Sequence, residues 1–132
     1  MSESHVAPGF GALEPRHSAL DTARIVIVPV PYDRTASYMK GTAEGPRAII
    51  EASTHMELYD DELDAEPYVV GIHTAPAVSG NDDPPEVMAG KVQEAVDSYL
   101  AMGKMPVYTA ILPPGNAKAF AVLSSLMIVT SH

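Results

Sequence analysis

The side chains that most often bind metal ions or carry out hydrolysis show no catalytic spacing in this 132-residue sequence. There is no cysteine, and no two of the five histidines have the i, i+4 spacing of a metal site on one helix face. Ser37 and Ser53 have no neighbouring histidine and acid that would identify a catalytic triad. Composition and spacing alone therefore identify no catalytic, cofactor-binding or metal-binding residue.

A dense acidic segment, YDDELDAEP at residues 59–67, is the other candidate for binding a cation. A calcium loop needs a central glycine and a closing glutamate at fixed spacing, and this segment has neither. The glycines elsewhere in the chain do not form a phosphate-binding loop of either common kind. We therefore expect residues 59–67 to be a solvated connector.

The charge and composition exclude some classes of partner. Asp and Glu outnumber Lys and Arg by 17 to 8, which gives a formal net charge of −9. Nucleic acids and anionic membranes bind to basic surfaces, so we expect neither as a partner. No apolar run approaches the length of a membrane span, and no apolar signal segment is visible at the N-terminus. The absence of cysteine fits a reducing compartment, and we expect a cytoplasmic protein.

The order of the elements predicts an α/β fold. Residues 1–22 lack periodicity and indicate a flexible N-terminal arm, whereas residues 23–132 form one α/β domain. Apolar runs alternate with amphipathic segments, which favours a mostly parallel sheet with helices on its faces. Regular strand pairing is expected to fail at Pro29 and Pro31, which have no N–H to donate. The predicted strands are 24–30, 68–72 and 105–112, and the predicted helices are 46–58, 85–102 and 117–127, with the start of a fourth strand after the last helix.

The ends of the second helix carry the strongest local signals. Asp83 is predicted as the N-cap, with Pro84 at the first helical position and Glu86 three residues after the cap. Gly103 is predicted as the residue that follows the C-cap. The apolar stripe along this helix comprises Met88, Val92, Ala95, Val96, Tyr99 and Leu100.

The segment VPVPYDRTASYMKGTAEGPRAIIEAS, residues 28–53, resembles the N-terminal signature of the agmatinase branch of the ureohydrolase (arginase/agmatinase) family. It departs from the family pattern at Val30, Ile50 and Glu51. The resemblance extends over about residues 24–127, the first third of a full-length family member. The matching positions are Pro31, Asp33, Ser37, Gly41, Gly45, Pro46, Ile49, Ala52 and Ser53.

The resemblance implies an arginase-like fold, a three-layer α/β/α sandwich of which residues 23–132 are a truncated part. Family members hydrolyse guanidino groups with two Mn²⁺ ions at the carboxyl ends of the strands. The two ions lower the pKa of a bridging water and polarise the guanidinium carbon. Their ligands come from a G-G-[DE]-H-S loop, a D-A-H-x-D strand end and a D-x-D-x-x-D-P strand end.

The segment LPPGNAKAFAVLSSLM, residues 112–127, aligns without a gap with the first of these motifs. Pro113 and Pro114 replace its two glycines, and Gly115 replaces its acid. Asn116 replaces the first metal-binding histidine, and an amide is a poor substitute for imidazole on Mn²⁺. The other two motifs do not occur before His132. We therefore expect no catalytic, cofactor-binding or metal-binding residue on this chain, although Mn²⁺ is the cofactor of the family that it resembles.

Two explanations of this pattern remain open. The chain is a degenerate or truncated relative expressed as it stands, or its reading frame is damaged after the third strand. Two functions follow. The first is an agmatinase-like ureohydrolase whose chain is inactive alone; the second is a non-catalytic pseudoenzyme that assembles with itself or with a full-length relative. An uncovered strand edge would favour self-association, and we expect a homo-oligomer.

Overall fold

The computed structural model describes residues 7–32, 42–80 and 82–109. The predicted helix at 117–127 and the predicted fourth strand lie outside these residues. So do the four residues at positions 113–116, where the resemblance to the family places the first metal-binding motif. In the part of the chain that is described, no helix is long and apolar enough to cross a membrane.

Three parallel strands form the sheet. They are β1 (Ile25–Pro29), β2 (Ile72–Thr74) and β3 (Met105–Thr109), and their order in space is β2-β1-β3. In the register, Ile27 of β1 pairs with Thr74 of β2 and with Val107 of β3. The parallel α/β arrangement that the alternation of elements predicts is therefore confirmed.

The helices are α1 (Pro15–Ser18), α2 (Gly45–Ser53) and α3 (Pro85–Ala101). The predicted bounds of α3 are confirmed to within one residue. The glycine that was expected to follow the end of this helix also has the expected conformation. Gly103 has a φ of 76°, and its N–H donates to the Leu100 carbonyl at 2.9 Å. This positive φ is the conformation that glycine adopts readily after a helix.

The main core lies between β1 and α3. Side chains alternate along a strand, so Val26, Val28 and Val30 project from the same side of β1. They form one buried cluster with Met88, Val92 and Val96 from the predicted stripe of α3. The apolar stripe of α3 therefore faces the core.

The opposite face of β1 is covered as well, because Ile27 is also buried. Thr74 pairs with Ile27 and so shares its face, and its hydroxyl accepts a hydrogen bond from the Phe10 N–H at 2.8 Å. The short 3₁₀ helix Phe10–Ala12 therefore lies on this side, and the Gly11 N–H connects it to Ser53 of α2. Elements on both sides of a parallel sheet give the layered arrangement expected from the sequence.

The second strand is not where the sequence predicts it. Residues 68–72 were expected to be extended, but Pro67–Val70 form a 3₁₀ helix and β2 begins at Ile72. Between them Gly71 has a φ of 84°, and a Cβ atom there would lie 2.8 Å from the Ala23 Cα. The chain turns at this glycine, and the Gly71 carbonyl accepts the Ile25 N–H at 3.1 Å. The prediction is therefore wrong: the strand begins four residues later and ends two residues later than expected.

Two helix boundaries also differ from the prediction. Helix α2 ends at Ser53 rather than at residue 58, because the hydroxyls of Ser53 and Thr54 bind the carbonyls of Ile50 and Glu51, three residues back. Side-chain bonds to nearby carbonyls compete with the helical backbone. The N-cap of α3 is Pro84 rather than Asp83, with no side-chain cap.

Strand pairing at Pro29 differs from expectation. Pairing with β3 continues through Pro29, opposite Thr109, and the next residue makes the hydrogen bond to β3: the Val30 N–H donates to the Thr109 carbonyl at 3.0 Å. The Pro29 carbonyl accepts the Val78 N–H at 2.9 Å. Within the segment expected to be an arm, helix α1 and the 3₁₀ helix at Phe10–Ala12 contact β2. The division between an arm at 1–22 and a domain at 23–132 stays a prediction.

Candidate functional site

In an open α/β sheet, ligands bind at the carboxyl ends of the strands. At this edge the chain leaves β1 through Val30 and Tyr32 and leaves β2 through Ala75, and all three residues are buried. The strand ends are tied together by the backbone, since the Val30 N–H donates to the Thr109 carbonyl at 3.0 Å. In the described part of the chain, this edge is thus a buried, mostly apolar platform.

Tyr32 is the main polar residue of this platform. Its side chain is 2% exposed, and its hydroxyl donates to the Asp83 carbonyl at 2.8 Å. The Asp83 carboxylate in turn pairs with the Lys91 ammonium at 2.5 Å. This network joins the end of β1 to the turn before α3, and the charge of Asp83 is already neutralised by a partner. No local sequence pattern indicates it, because Tyr32 and Asp83 are 51 residues apart.

Thr109, at the carboxyl end of β3, carries a buried side-chain oxygen with no hydrogen-bond partner among the described residues. A buried hydroxyl without a partner is unfavourable by about 1–3 kcal/mol. The hydroxyl lies at the edge where ligands bind in open α/β sheets. No local pattern in the sequence indicates this residue.

The family signature falls partly on structural residues. Of the matched positions, Asp33, Ser37 and Gly41 lie outside the described residues. Pro46 and Ser53 are buried at the two ends of α2. The Ser53 hydroxyl accepts the Gly11 N–H at 2.8 Å and donates to the Ile50 carbonyl at 2.5 Å. This serine therefore fastens the N-terminal segment to α2, which explains its place in the pattern without any catalytic role.

The histidines and acids of the described residues do not fit a dinuclear manganese site. No group of three or more His, Asp or Glu side chains there is placed to hold a metal ion. His73 contacts the Ser18 carbonyl through Nδ1 at 2.9 Å, and the His17 ring packs edge-on against Tyr68. Both rings serve to pack α1 against its neighbours.

The acidic connector at 59–67 folds as a tight turn. The Asp60 carboxylate accepts the N–H groups of Glu62 and Leu63, each at 3.0 Å. The backbone of Asp60 also pairs with that of Ala65. The Tyr59 hydroxyl bonds to the Asp64 carboxylate, and this bond raises the pKa of Tyr59. Most side chains of the segment are exposed, as expected for a solvated connector.

Comparison with known proteins identifies the fold and its relatives. Residues 23–110 match the model of the arginase family. Over 90 residues the chain is 39% identical to an N(1)-aminopropylagmatine ureohydrolase of Synechocystis sp., covering 64% of this chain and 29% of the relative. Over 87 residues it is 38% identical to the enzyme of that name from Thermus thermophilus, covering 66% of this chain and 30% of the relative.

A solved structure shares the fold. The agmatine ureohydrolase of Thermoplasma volcanium superposes with a TM-score of 0.61 at 18% sequence identity, covering 80% of this chain and 34% of that one. The chain therefore spans about a third of the length of the proteins that it matches, as the resemblance to the family signature predicts.

Proposed function

The chain belongs to the arginase family, and from this premise we propose that its matched region is the N-terminal portion of an agmatinase-like ureohydrolase. Such an enzyme hydrolyses the guanidino group of a linear amine and releases urea. The observation that carries the proposal is the 39% and 38% identity to two ureohydrolases named for N(1)-aminopropylagmatine. The arginase family is metal-dependent, and Mn²⁺ is the proposed cofactor of the complete enzyme.

We also propose that this chain does not hydrolyse guanidines by itself. The support is Asn116, which stands where the resemblance places the first metal-binding histidine, together with Pro113 and Pro114 in place of two glycines. Proline fixes φ and lacks an N–H, so a loop built on two glycines cannot keep its conformation. The proposed loss thus affects both a ligand and the backbone that would position it.

Urea release tests this proposal. The full chain is incubated with Mn²⁺ and either agmatine or N(1)-aminopropylagmatine, with a full-length ureohydrolase as the positive control. We expect no urea above the protein-free blank. Asn116→His should not restore activity, because one added ligand cannot hold two metal ions. Saturable urea production by the unmodified chain would overturn the proposed inactivity.

A titration with Mn²⁺ gives an independent readout. We expect no stoichiometric site tighter than about 1 µM, the affinity that corresponds to about 8 kcal/mol of binding free energy. A tighter stoichiometric site would contradict the proposed loss of the metal centre, because it would show that other side chains of the chain coordinate Mn²⁺.

A second candidate function, non-catalytic assembly with itself or with a full-length relative, is favoured by one surface. Strand β3 is an outer strand of the described sheet, and its Met105 and Val107 are 54% and 43% exposed. Exposed edge strands with apolar side chains pair readily with other chains. Light scattering at micromolar concentration should give the mass of a dimer or larger assembly, and a mass of one chain would contradict it.

A cytoplasmic location is part of the same proposal. Its support is the absence of cysteine from all 132 residues, which fits a reducing compartment. Fractionation of cells that produce the chain would test it, and recovery in the secreted fraction would contradict it.

A further inference from the structure

Two clefts lie side by side at the amino ends of the strands, the opposite end of the sheet from the edge described above. The first, of about 460 Å³, opens beside Ile72, where β2 begins. The second, of about 400 Å³, opens beside Ile25 and Met105, where β1 and β3 begin. The 3₁₀ helix Pro67–Val70 separates them, because its first two residues line the first cleft and its last residue lines the second.

Each cleft carries charge of one sign. The acidic surface consists of the four carboxylates that line the first cleft, Glu57, Asp60, Asp61 and Glu62. The basic surface consists of the two charged side chains that line the second cleft, Arg24 and Lys104. The ion pairs within the described part of the chain join other residues, so that part neutralises neither surface.

Apolar side chains are exposed between and beside the two charged surfaces. Val69 and Val70, in the 3₁₀ helix that separates the clefts, are 54% and 40% exposed. Leu63, in the turn that carries the acidic surface, is 70% exposed, and Met105 beside the basic surface is 54% exposed. Large exposed apolar side chains gathered in one region mark an interaction surface. An apolar centre with a charged rim is the usual anatomy of a protein–protein interface.

The outer edge of β3 is a poorer place for another chain to pair. Because the Thr109 carbonyl accepts the Val30 N–H at 3.0 Å, Thr109 and every second residue before it direct their backbone groups toward β1. The backbone groups of Pro106 and Tyr108 therefore face outward. Pro106 has no N–H, so a strand added at this edge would lack one of its hydrogen bonds. The surface at the amino ends of the strands has no such defect.

We propose that two copies of this chain associate through their amino-end surfaces, related by a two-fold axis. The rotation places the acidic surface of each copy on the basic surface of the other and brings the exposed valines of the two copies together. A two-fold interface uses the same surface on both copies. This surface is complementary to itself because opposite charges lie on either side of an apolar centre. Arg24 of one copy then pairs with carboxylates of the other through charge-assisted hydrogen bonds.

The dimer is one form of the assembly with itself that is proposed above, so it rests on that proposed function and adds the surface that performs it. It does not depend on hydrolysis, because the proposed reaction belongs to the carboxyl ends of the strands. A stable interface of ordinary size buries about 800 Å² on each partner.

Charge reversal, followed by light scattering of the full chain across a dilution series, tests the interface. Arg24→Glu places a carboxylate opposite the acidic surface and should weaken the dimer at least about tenfold. Asp61→Lys/Glu62→Lys places two cations opposite the basic surface and should weaken it at least about tenfold as well. Diffuse repulsion between acidic chains predicts tighter association of the lysine variant, because that variant has a smaller net negative charge.

Mixing the two variants provides the second measurement. In a mixed dimer, one half of the interface is unmodified and the other half joins Glu at position 24 to Lys at positions 61 and 62. The equimolar mixture should therefore dimerise at least about tenfold more tightly than either variant alone. Recovery in the mixture also shows that both variants are folded. If the mixture is no tighter than its components, the proposed pairing of the two surfaces is wrong.

A control makes the same charge change elsewhere. Glu86→Lys/Glu94→Lys reverses two exposed carboxylates on α3, and the strength of the dimer should change less than about twofold. A mass of one chain for the unmodified protein would overturn both the assembly and this interface. A dimer that persists in Arg24→Glu and in Asp61→Lys/Glu62→Lys would leave the assembly standing and overturn this interface alone.

Discussion

Replacement of Ser53 by alanine removes the link between α2 and the N-terminal segment. The Ser53 side chain is buried, with 3% of its surface exposed. Its hydroxyl accepts the N–H of Gly11, which is also buried, at 2.8 Å and donates to the Ile50 carbonyl at 2.5 Å. In Ser53→Ala the Gly11 N–H is left without this acceptor in a place that water does not reach.

The expected loss of stability follows from these two contacts. A net hydrogen bond contributes about 1 kcal/mol, and a buried polar group left without a partner costs about 1–3 kcal/mol. We expect Ser53→Ala to lower the free energy of unfolding by about 2 kcal/mol. That is a large share of the roughly 5–15 kcal/mol typical of a domain.

Thr54→Ala is the matched control. The Thr54 hydroxyl also donates to a carbonyl three residues back, that of Glu51 at 2.7 Å, but the bond is exposed to solvent. Its removal should change stability by less than about 0.5 kcal/mol. Urea denaturation followed by circular dichroism measures both variants, with an unchanged m-value as the sign of an unchanged unfolding transition.

Hydrogen exchange provides the local readout. The Gly11 amide should exchange faster in Ser53→Ala and at the original rate in Thr54→Ala. Equal stability losses in the two variants, or an unchanged Gly11 exchange rate in Ser53→Ala, would refute the assignment of this serine as the link.

Three further predictions concern single positions. Gly71→Ala should cost more than about 2 kcal/mol, because φ is 84° and the new Cβ would lie 2.8 Å from the Ala23 backbone, whereas Gly90→Ala, in open space within α3, should gain about 0.5–1 kcal/mol; equal effects in denaturation would contradict this. Burial raises the pKa of Tyr108 above 10.0, so the neutral phenol is favoured in the folded state. Its contribution to stability is complete below the ordinary pKa and is lost as pH rises through the folded value. Between about pH 9 and pH 11, Tyr108→Phe should therefore lose less stability than the unmodified chain, and identical alkaline profiles would show that this tyrosine does not contribute. Thr109→Val removes the hydroxyl that has no partner among the described residues and should raise stability by about 1 kcal/mol; a loss of that size would mean that the hydroxyl has a partner.

The parts of the fold that follow from local pattern were predictable. The continuous apolar run of β1 indicates a strand covered on both faces, and Val26 and Ile27 are buried on its two sides. The stripe of α3 and the glycine at position 103 predict that helix and its end. The alternation of these elements predicts parallel pairing, which is the arrangement that the strands adopt.

The parts that depend on contacts distant in sequence were not predictable. Gly71 turns away from the extended conformation where it passes against Ala23, which is far from it in sequence. The N-terminal segment is attached by single hydrogen bonds from Phe10 and Gly11 to residues 64 and 42 positions away. Such contacts leave no periodic pattern in the sequence. For the candidate site, the prediction rests on Asn116 and its neighbours, which lie outside the described residues.

Residues 23–110 are proposed to form a working N-terminal portion of a ureohydrolase fold. The direct measurement is urea release by a chimera in which these residues replace the matching segment of the Thermus thermophilus N(1)-aminopropylagmatine ureohydrolase, which retains the rest of its own chain. At 38% identity over the matched region, we expect a folded chimera that binds Mn²⁺ and releases urea from N(1)-aminopropylagmatine. A chimera that folds and binds Mn²⁺ but releases no urea would contradict the claim.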